Sequence, residues 1–289
     1  MLATCAPCAA LHELIQCCIR QPLSCLPNVS VGRVTQQQHA DLFKHGQFVH
    51  SVDLAGAAFG RVSLRQLPLN LKLDSLRLTN LDVQLQLGSG FEGVVASGVP
   101  LKQLQLSCCT LLDGAEGLTA ALALLPGLQR LTIDKPKTDR KGVRGLASFS
   151  IGAVSWLQQL TYLELAGDIT TSDQGGYMLQ PLQALTAVVD LRLAPSVPAT
   201  VDSSMLSGMQ DLTRLELAGY VKLGERALDA DTQLQHLQLH LAQNSLQGGA
   251  AETATLLFQL QPLQQLTHLG LSRCMEYRTK ALLQQPLQR

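Results

Sequence analysis

One short pattern recurs along most of this 289-residue chain and limits what it can fold into. The pattern is L-x-x-L-x-L, followed by a few polar or small residues. Leu73, Leu76 and Leu78 fit it, as do Leu101, Leu104 and Leu106, then Leu128, Leu131 and Ile133. Leu160, Leu163 and Leu165 follow, then Val188, Leu191 and Leu193, then Leu212, Leu215 and Leu217. Leu234, Leu237 and Leu239 repeat it, and Leu266, Leu269 and Leu271 close the series. Val49, Val52 and Leu54 make a ninth, slightly degenerate copy, and Leu26, Val29 and Val31 offer a tenth. The first positions of the nine copies are 22 to 32 residues apart, with a mean near 27. Self-similarity at such a period signals a stack of small units, not one closed core.

The side-chain period gives each unit its shape. In x-L-x-L-x the leucines alternate with other residues, so this stretch reads as a short strand with one buried face. Between strands, Leu118, Leu122 and Leu125 stand at i, i+4 and i+7, which predicts a helix. Leu256, Leu257 and Leu260 predict another. Such a unit cannot bury its apolar face alone, and stacking the units builds a continuous leucine core. Helices are wider than strands, so the stack curves with a parallel sheet on its inner wall. Nine strands at about 4.8 Å each make that wall roughly 40 Å long.

Residues 46–289 resemble the leucine-rich repeat superfamily. The stretch LKQLQLSCCTLLDGAEGLTAALALLPGLQRL is similar to the ribonuclease-inhibitor-like class, with its long convex helix. It also resembles the cysteine-containing class associated with F-box receptors, which places Cys at the strand-to-loop turn. Cys109 and Cys274 stand there, and Ile169, Val197 and Val221 take the place elsewhere. The resemblance implies an α/β solenoid, a horseshoe of about nine repeats with a parallel concave sheet and a helical convex side. It implies a protein that binds a protein partner on its concave face. Substrate recognition for a ubiquitin ligase is one form of this, although residues 1–45 carry no recognisable F-box. Regulation of a GTPase, or a structural place in a larger assembly, is the alternative.

Residues 1–45 read as a helical cap or degenerate repeat that shields the first unit. At the other end QQPLQR resembles the lead-in PGLQRL at 126–131, so the repeat domain reads as cut short. The N-terminus lacks an early basic residue, and His12 and Glu13 interrupt its apolar run, unlike a secretory signal. No window of 18 or more apolar residues appears. These features point to the cytoplasm, with the nucleus as the alternative, and to no membrane partner. Five of the eight cysteines lie before residue 26. Cys5 and Cys8 have C-x-x-C spacing, but no second pair completes a zinc site, and reduced core cysteines are the simpler reading.

Composition narrows the function. Leucine accounts for 59 residues, enough apolar material for a large core. Lys plus Arg equals Asp plus Glu at 22 each, so the basic footprint of nucleic-acid binding is missing. Aromatics are 4% of the chain, too thin for a stacking platform. No G-x-x-x-x-G-K-[ST], H-E-x-x-H or G-x-S-x-G occurs. An open, water-filled wall also lacks the dry cavity of preorganised catalysis. The expectation is a binding protein without enzymatic activity, cofactor or metal.

If the strand leucines point inward, the residues between them face solvent. One column is Ser51, Ser75, Gln103, Arg130, Tyr162, Asp190, Arg214, His236 and His268. The next is Asp53, Arg77, Gln105, Thr132, Glu164, Arg192, Glu216, Gln238 and Gly270. Charges alternate: Asp190 adjoins Arg214, and Arg192 sits between Glu164 and Glu216. The bland reading is a ladder of solvated ion pairs, each worth little. The functional reading is a recognition patch, because Arg and Tyr often dominate binding energy near the middle of an interface. The candidate partner-binding residues are Arg130, Tyr162, Glu164, Asp190, Arg192, Arg214, Glu216, His236 and His268. His236 and His268, with His240 close, lack an evident completing ligand and read as solvated wall residues. KPKTDRKGVR at 135–144 reads as a solvated basic loop, and Trp156 as a residue packed on the convex side.

Overall fold

The computed structural model describes residues 51–55, 61–63, 73–80, 82–84, 101–111, 114–135, 137–140, 143–146, 149–167, 169–170, 179–196, 199–219, 221–224, 226–229, 233–241, 258 and 260–272. The predicted cap, the tenth copy of the pattern, Cys274 and the chain's C-terminal stretch lie outside these residues.

Nine strands form one parallel sheet in sequence order. They are β1 (Ser51–Ala55), β2 (Ser75–Thr79), β3 (Gln103–Ser107), β4 (Arg130–Asp134), β5 (Tyr162–Gly167), β6 (Asp190–Pro195), β7 (Arg214–Gly219), β8 (His236–Leu241) and β9 (His268–Ser272). Each matches one copy of the leucine pattern. Register aligns leucine with leucine: Leu163 pairs with Leu131 on one side and Leu191 on the other, and Leu191 pairs with Leu215. These side chains lie on one face and are fully buried. A one-residue slip would send every such leucine to solvent, so the alternation fixes the register.

At the end of several strands the chain turns a sharp corner. Asn80, Cys108 and Lys135 take positive φ there, 55°, 53° and 46°. Their N–H groups donate to carbonyls at the end of the following strand, at 2.9, 2.7 and 2.8 Å to Ser107, Asp134 and Ala166. The left-handed corner costs a non-glycine residue about 1–2 kcal/mol, and the hydrogen bond offsets part of that. Past the corner a buried residue turns inward. Cys109 is buried, and its thiol donates to the Leu78 carbonyl at 3.2 Å, so this cysteine staples two coils together. Val221 is equally buried at its own turn.

The convex side departs from the expectation. Among the described residues one helix exceeds a single turn: α1 (Gly114–Ala123), which covers most of the predicted helix around Leu118–Leu125. The helix predicted around Leu256–Leu260 lies largely outside the described residues. Elsewhere the return path uses 3-10 turns at Ile151–Val154 and Gln180–Ala184 and the one-turn helix α2 (Ser203–Leu206). A second layer of short strands follows the corners. Arg61–Ser63, Asp82–Gln84, Thr110–Leu111, Lys137–Arg140 and Val143–Leu146 make a five-stranded sheet. Two further two-stranded pairs join Phe149–Ser150 to Ile169–Thr170 and Ala199–Val201 to Val221–Leu223.

A second period explains the 3-10 turns. Ahead of several strands apolar residues recur every third position: 122, 125, 128 and 131, or 154, 157, 160 and 163. Backbone bonds follow that spacing, with Leu125 N–H to Leu122, Leu128 to Leu125, Leu157 to Val154, Leu160 to Leu157 and Leu212 to Met209. An i→i+3 spacing stacks side chains on one side of a 3-10 turn. The coil thus feeds its leucines to the core without a long helix.

The basic segment is also not a loop. Lys137–Arg140 and Val143–Leu146 pair antiparallel, with Asp139 opposite Arg144, as a hairpin at one edge of the second sheet. Coil spacing is tight elsewhere. A Cβ placed on Gly208 would lie 2.0 Å from the Gln183 carbonyl oxygen of the preceding coil. Gly208→Ala is therefore expected to push two coils apart at a cost of about 1–3 kcal/mol. Urea denaturation would show a lower midpoint with an unchanged slope.

Candidate functional site

The solvent-facing positions of the main sheet form the predicted columns. Register places Gln103 beside Arg130, Arg130 beside Tyr162, Tyr162 beside Asp190, Asp190 beside Arg214, Arg214 beside His236 and His236 beside His268. The second column runs through Thr132, Glu164, Arg192, Glu216, Gln238 and Gly270 in the same way. Threonines just ahead of the first column fasten the strands. Thr161, Thr213 and Thr267 donate their hydroxyls to the carbonyls of Gln129, Val189 and Gln235, at 3.2, 3.3 and 3.0 Å.

Four charges close a square across β6 and β7. Arg192 donates Nε and Nη2 to the two oxygens of Asp190, each at 3.1 Å. Its Nε lies 3.9 Å from Glu216. Arg214 stands 3.8 Å from both Asp190 and Glu216. Each cation thus meets both anions. The hydrogen bond to Asp190, aided by the charges of Asp190 and Glu216 and opposed by burial, leaves the Arg192 guanidinium more firmly protonated than an ordinary arginine. Partly exposed pairs of this kind contribute under about 1 kcal/mol each. Their larger consequence is that four long side chains lose their freedom before any partner arrives.

Tyr162 joins this square to the next strands. Its hydroxyl donates to Glu164 Oε2 at 2.6 Å, and Thr132 donates to the same oxygen at 3.5 Å. The Arg130 guanidinium carbon lies 4.5 Å from the Tyr162 ring centroid, and that of Arg192 lies 5.1 Å away. One cation comes from each neighbouring strand. Burial, then the hydrogen bond to Glu164, pushes the phenol up to about 12, so it remains a donor at neutral pH. Sequence alone placed Arg192 between Glu164 and Glu216. In the structure it pairs with Asp190 on its own strand and with Glu216, while Glu164 turns to Tyr162 and Thr132.

At the other end, His236 and His268 stack face to face, with centroids 4.1 Å apart and planes 7° from parallel. His240 Nε2 stands 3.9 Å from Glu216 and also contacts the Gln238 amide. Stacked rings do not converge on a common ion. Among the described residues no group of three His, Cys, Asp or Glu could hold a metal. Burial, the Arg214 charge and the facing His268 hold the His236 imidazole below its usual range. Its Nε2 is buried without a hydrogen-bond partner.

A depressed histidine gives a signed expectation. The folded state binds fewer protons than the unfolded state as pH falls through roughly 6.5, the unfolded imidazole value. The stability held by neutral His236 is complete above that value and is lost as pH falls toward its own lower one. Gln238 and then Glu216 oppose the shift, whereas Arg214 and His268 reinforce it. The unfolding midpoint of wild type should therefore drop between pH 7.5 and 5.5, and the drop should shrink in His236→Gln. An equal drop in both proteins would contradict this assignment.

Thr132, Gln238 and His240 join the network although the sequence singled out none of them as binding residues. Only their places in the columns, or one step beyond, could have signalled it. Trp156 sits outside the wall, in the turn after the 3-10 helix at Ile151–Val154. It is 63% exposed and not packed away as expected. No helix of the described residues is long and apolar enough to cross a membrane.

Nine in-register parallel strands, one per leucine motif, settle the architecture. The fold is a leucine-rich repeat solenoid. A solved structure agrees at the level of fold. Internalin C2 of Listeria monocytogenes matches with a TM-score of 0.50 at 16% identity, over 81% of this chain and 84% of that one. Internalin InlF of the same organism matches with a TM-score of 0.45 at 19% identity, over 81% of this chain. The match spans 63% of InlF's length. A leucine-rich repeat protein of Leptospira interrogans matches with a TM-score of 0.37 at 11% identity, over 85% of this chain and 78% of that one. No protein-family model matches the sequence, and no curated protein matches it.

Proposed function

We propose that this leucine-rich repeat solenoid is a protein-interaction scaffold whose concave wall grips its partner between β4 and β9. The binding residues are Arg130, Tyr162, Glu164, Asp190, Arg192, Arg214, Glu216, His236 and His268. The observation that carries the reading is the clamp on Tyr162. An amphipathic ring is fixed by a hydrogen bond to Glu164 and by two guanidiniums, beside a closed square of charges. Side chains ordered in advance lose little entropy on docking. Arg130, Tyr162 and Arg214 among them belong to the types that often dominate interface energies.

A substrate-recognition role in a ubiquitin ligase is the narrower version, and the inward Cys109 turn is the feature that supports it. The test is a comparative capture from source cells. The baits are wild type and the triple variant Arg130→Ala, Tyr162→Ala, Arg214→Ala, with circular dichroism to establish that both fold. Partners held by wild type alone place binding on the wall. A ligase adaptor among them supports the narrower role. Identical partner sets for both baits contradict the assignment of the site.

A further inference from the structure

The wall's cations are not equivalent. Arg77 lies 3.6 Å from Asp53, Lys102 lies 3.6 Å from Asp74, and Arg192 and Arg214 share Asp190 and Glu216. Among the described arginines and lysines within the nine strands, Arg130 alone has no carboxylate within ion-pair distance. It is exposed, yet its guanidinium is not adrift, because it rests over the Tyr162 ring. Stacking engages the face of the guanidinium and leaves its in-plane N–H donors open.

The neighbourhood narrows what those donors take. In register on one side stands Gln103, an exposed neutral amide, and Gln105 next to it is turned toward Ser107. Glu164 and Asp134 stand on the same face, one on the adjoining strand and one at the end of Arg130's own strand. An incoming dianion would meet one open cation and two anions. A single carboxylate, whose two oxygens match the planar fork of the guanidinium, suits the site better.

We infer that Arg130 is the anchor for a carboxylate of the bound partner, an Asp or Glu side chain of a segment laid across β3 to β5. This rests on the reading that the concave wall is the binding face. It adds that the partner segment is acidic at one fixed position.

The test uses a display library of short unstructured peptides selected on wild type and on Arg130→Gln. Wild type should enrich an acidic residue at a fixed position. In the best peptide, replacing that acid by its amide should weaken wild-type binding by about tenfold or more. The same replacement should leave Arg130→Gln binding unchanged, and Arg130→Lys should fall between. Equal weakening of both proteins, or no acidic position, overturns the anchor. If a phosphoserine at that position binds more tightly than the acid, a phosphate site replaces the carboxylate site. Peptides that bind the Arg130, Tyr162, Arg214 triple variant as well as wild type overturn the anchor and the concave reading together. Selection of no peptide overturns the peptide anchor, whereas the capture experiment still judges the wall.

Discussion

Leu191→Ala should lower the stability of the solenoid by about 2–5 kcal/mol. Leu191 is fully buried at the centre of β6, paired with Leu163 on one side and Leu215 on the other. Each coil touches only its neighbours, so the cavity cannot be filled by distant rearrangement, and collapse would shift the register of two adjoining strands. Chemical denaturation should show a lower midpoint. The same substitution at the solvent-facing Arg192 removes partly exposed ion pairs and should cost no more than about 1 kcal/mol. Equal losses at the two positions would mean that the leucine face is not the core.

The triple variant Arg130→Ala, Tyr162→Ala, Arg214→Ala should weaken partner binding by about a hundredfold or more. Truncating a well-packed anchor costs about 2 kcal/mol or more, and 1.4 kcal/mol is tenfold in affinity. Part of the loss is indirect. Removing Tyr162 frees Glu164 and takes away the ring under Arg130, and removing Arg214 opens the charge square. The three effects share partners, so the triple loss should fall short of the sum of single losses. Stability should change little, since all three positions face solvent or lie half-exposed.

The strands were legible because their signal is binary. A leucine at every second position has one way to be buried, and nine copies leave no competing register. The columns followed from the same alternation, which is why Arg130, Tyr162, Asp190 and Arg214 line up as expected. The return path was less legible. The helical spacing at Leu118 and Leu122 does form α1, whereas Leu125 lies past its end in an i→i+3 turn. The three-residue spacing at 154, 157 and 160 encodes 3-10 turns, and it overlaps the strand motif closely enough to hide within it. Side-chain partners were legible least. Arg192 has carboxylates within reach on two strands, and the choice of Asp190 over Glu164 depends on the Tyr162 hydroxyl claiming Glu164 first. Column order alone does not carry that competition.

Residue-resolved crosslinking tests the central claim most directly. A photo-reactive amino acid is placed at Gln105 on the wall, or at Trp156 in the exposed turn outside it, and each protein is irradiated with the captured partner. A wall that binds predicts a crosslink from Gln105 and none from Trp156. A crosslink from Trp156 alone would place recognition off the concave sheet and contradict the account.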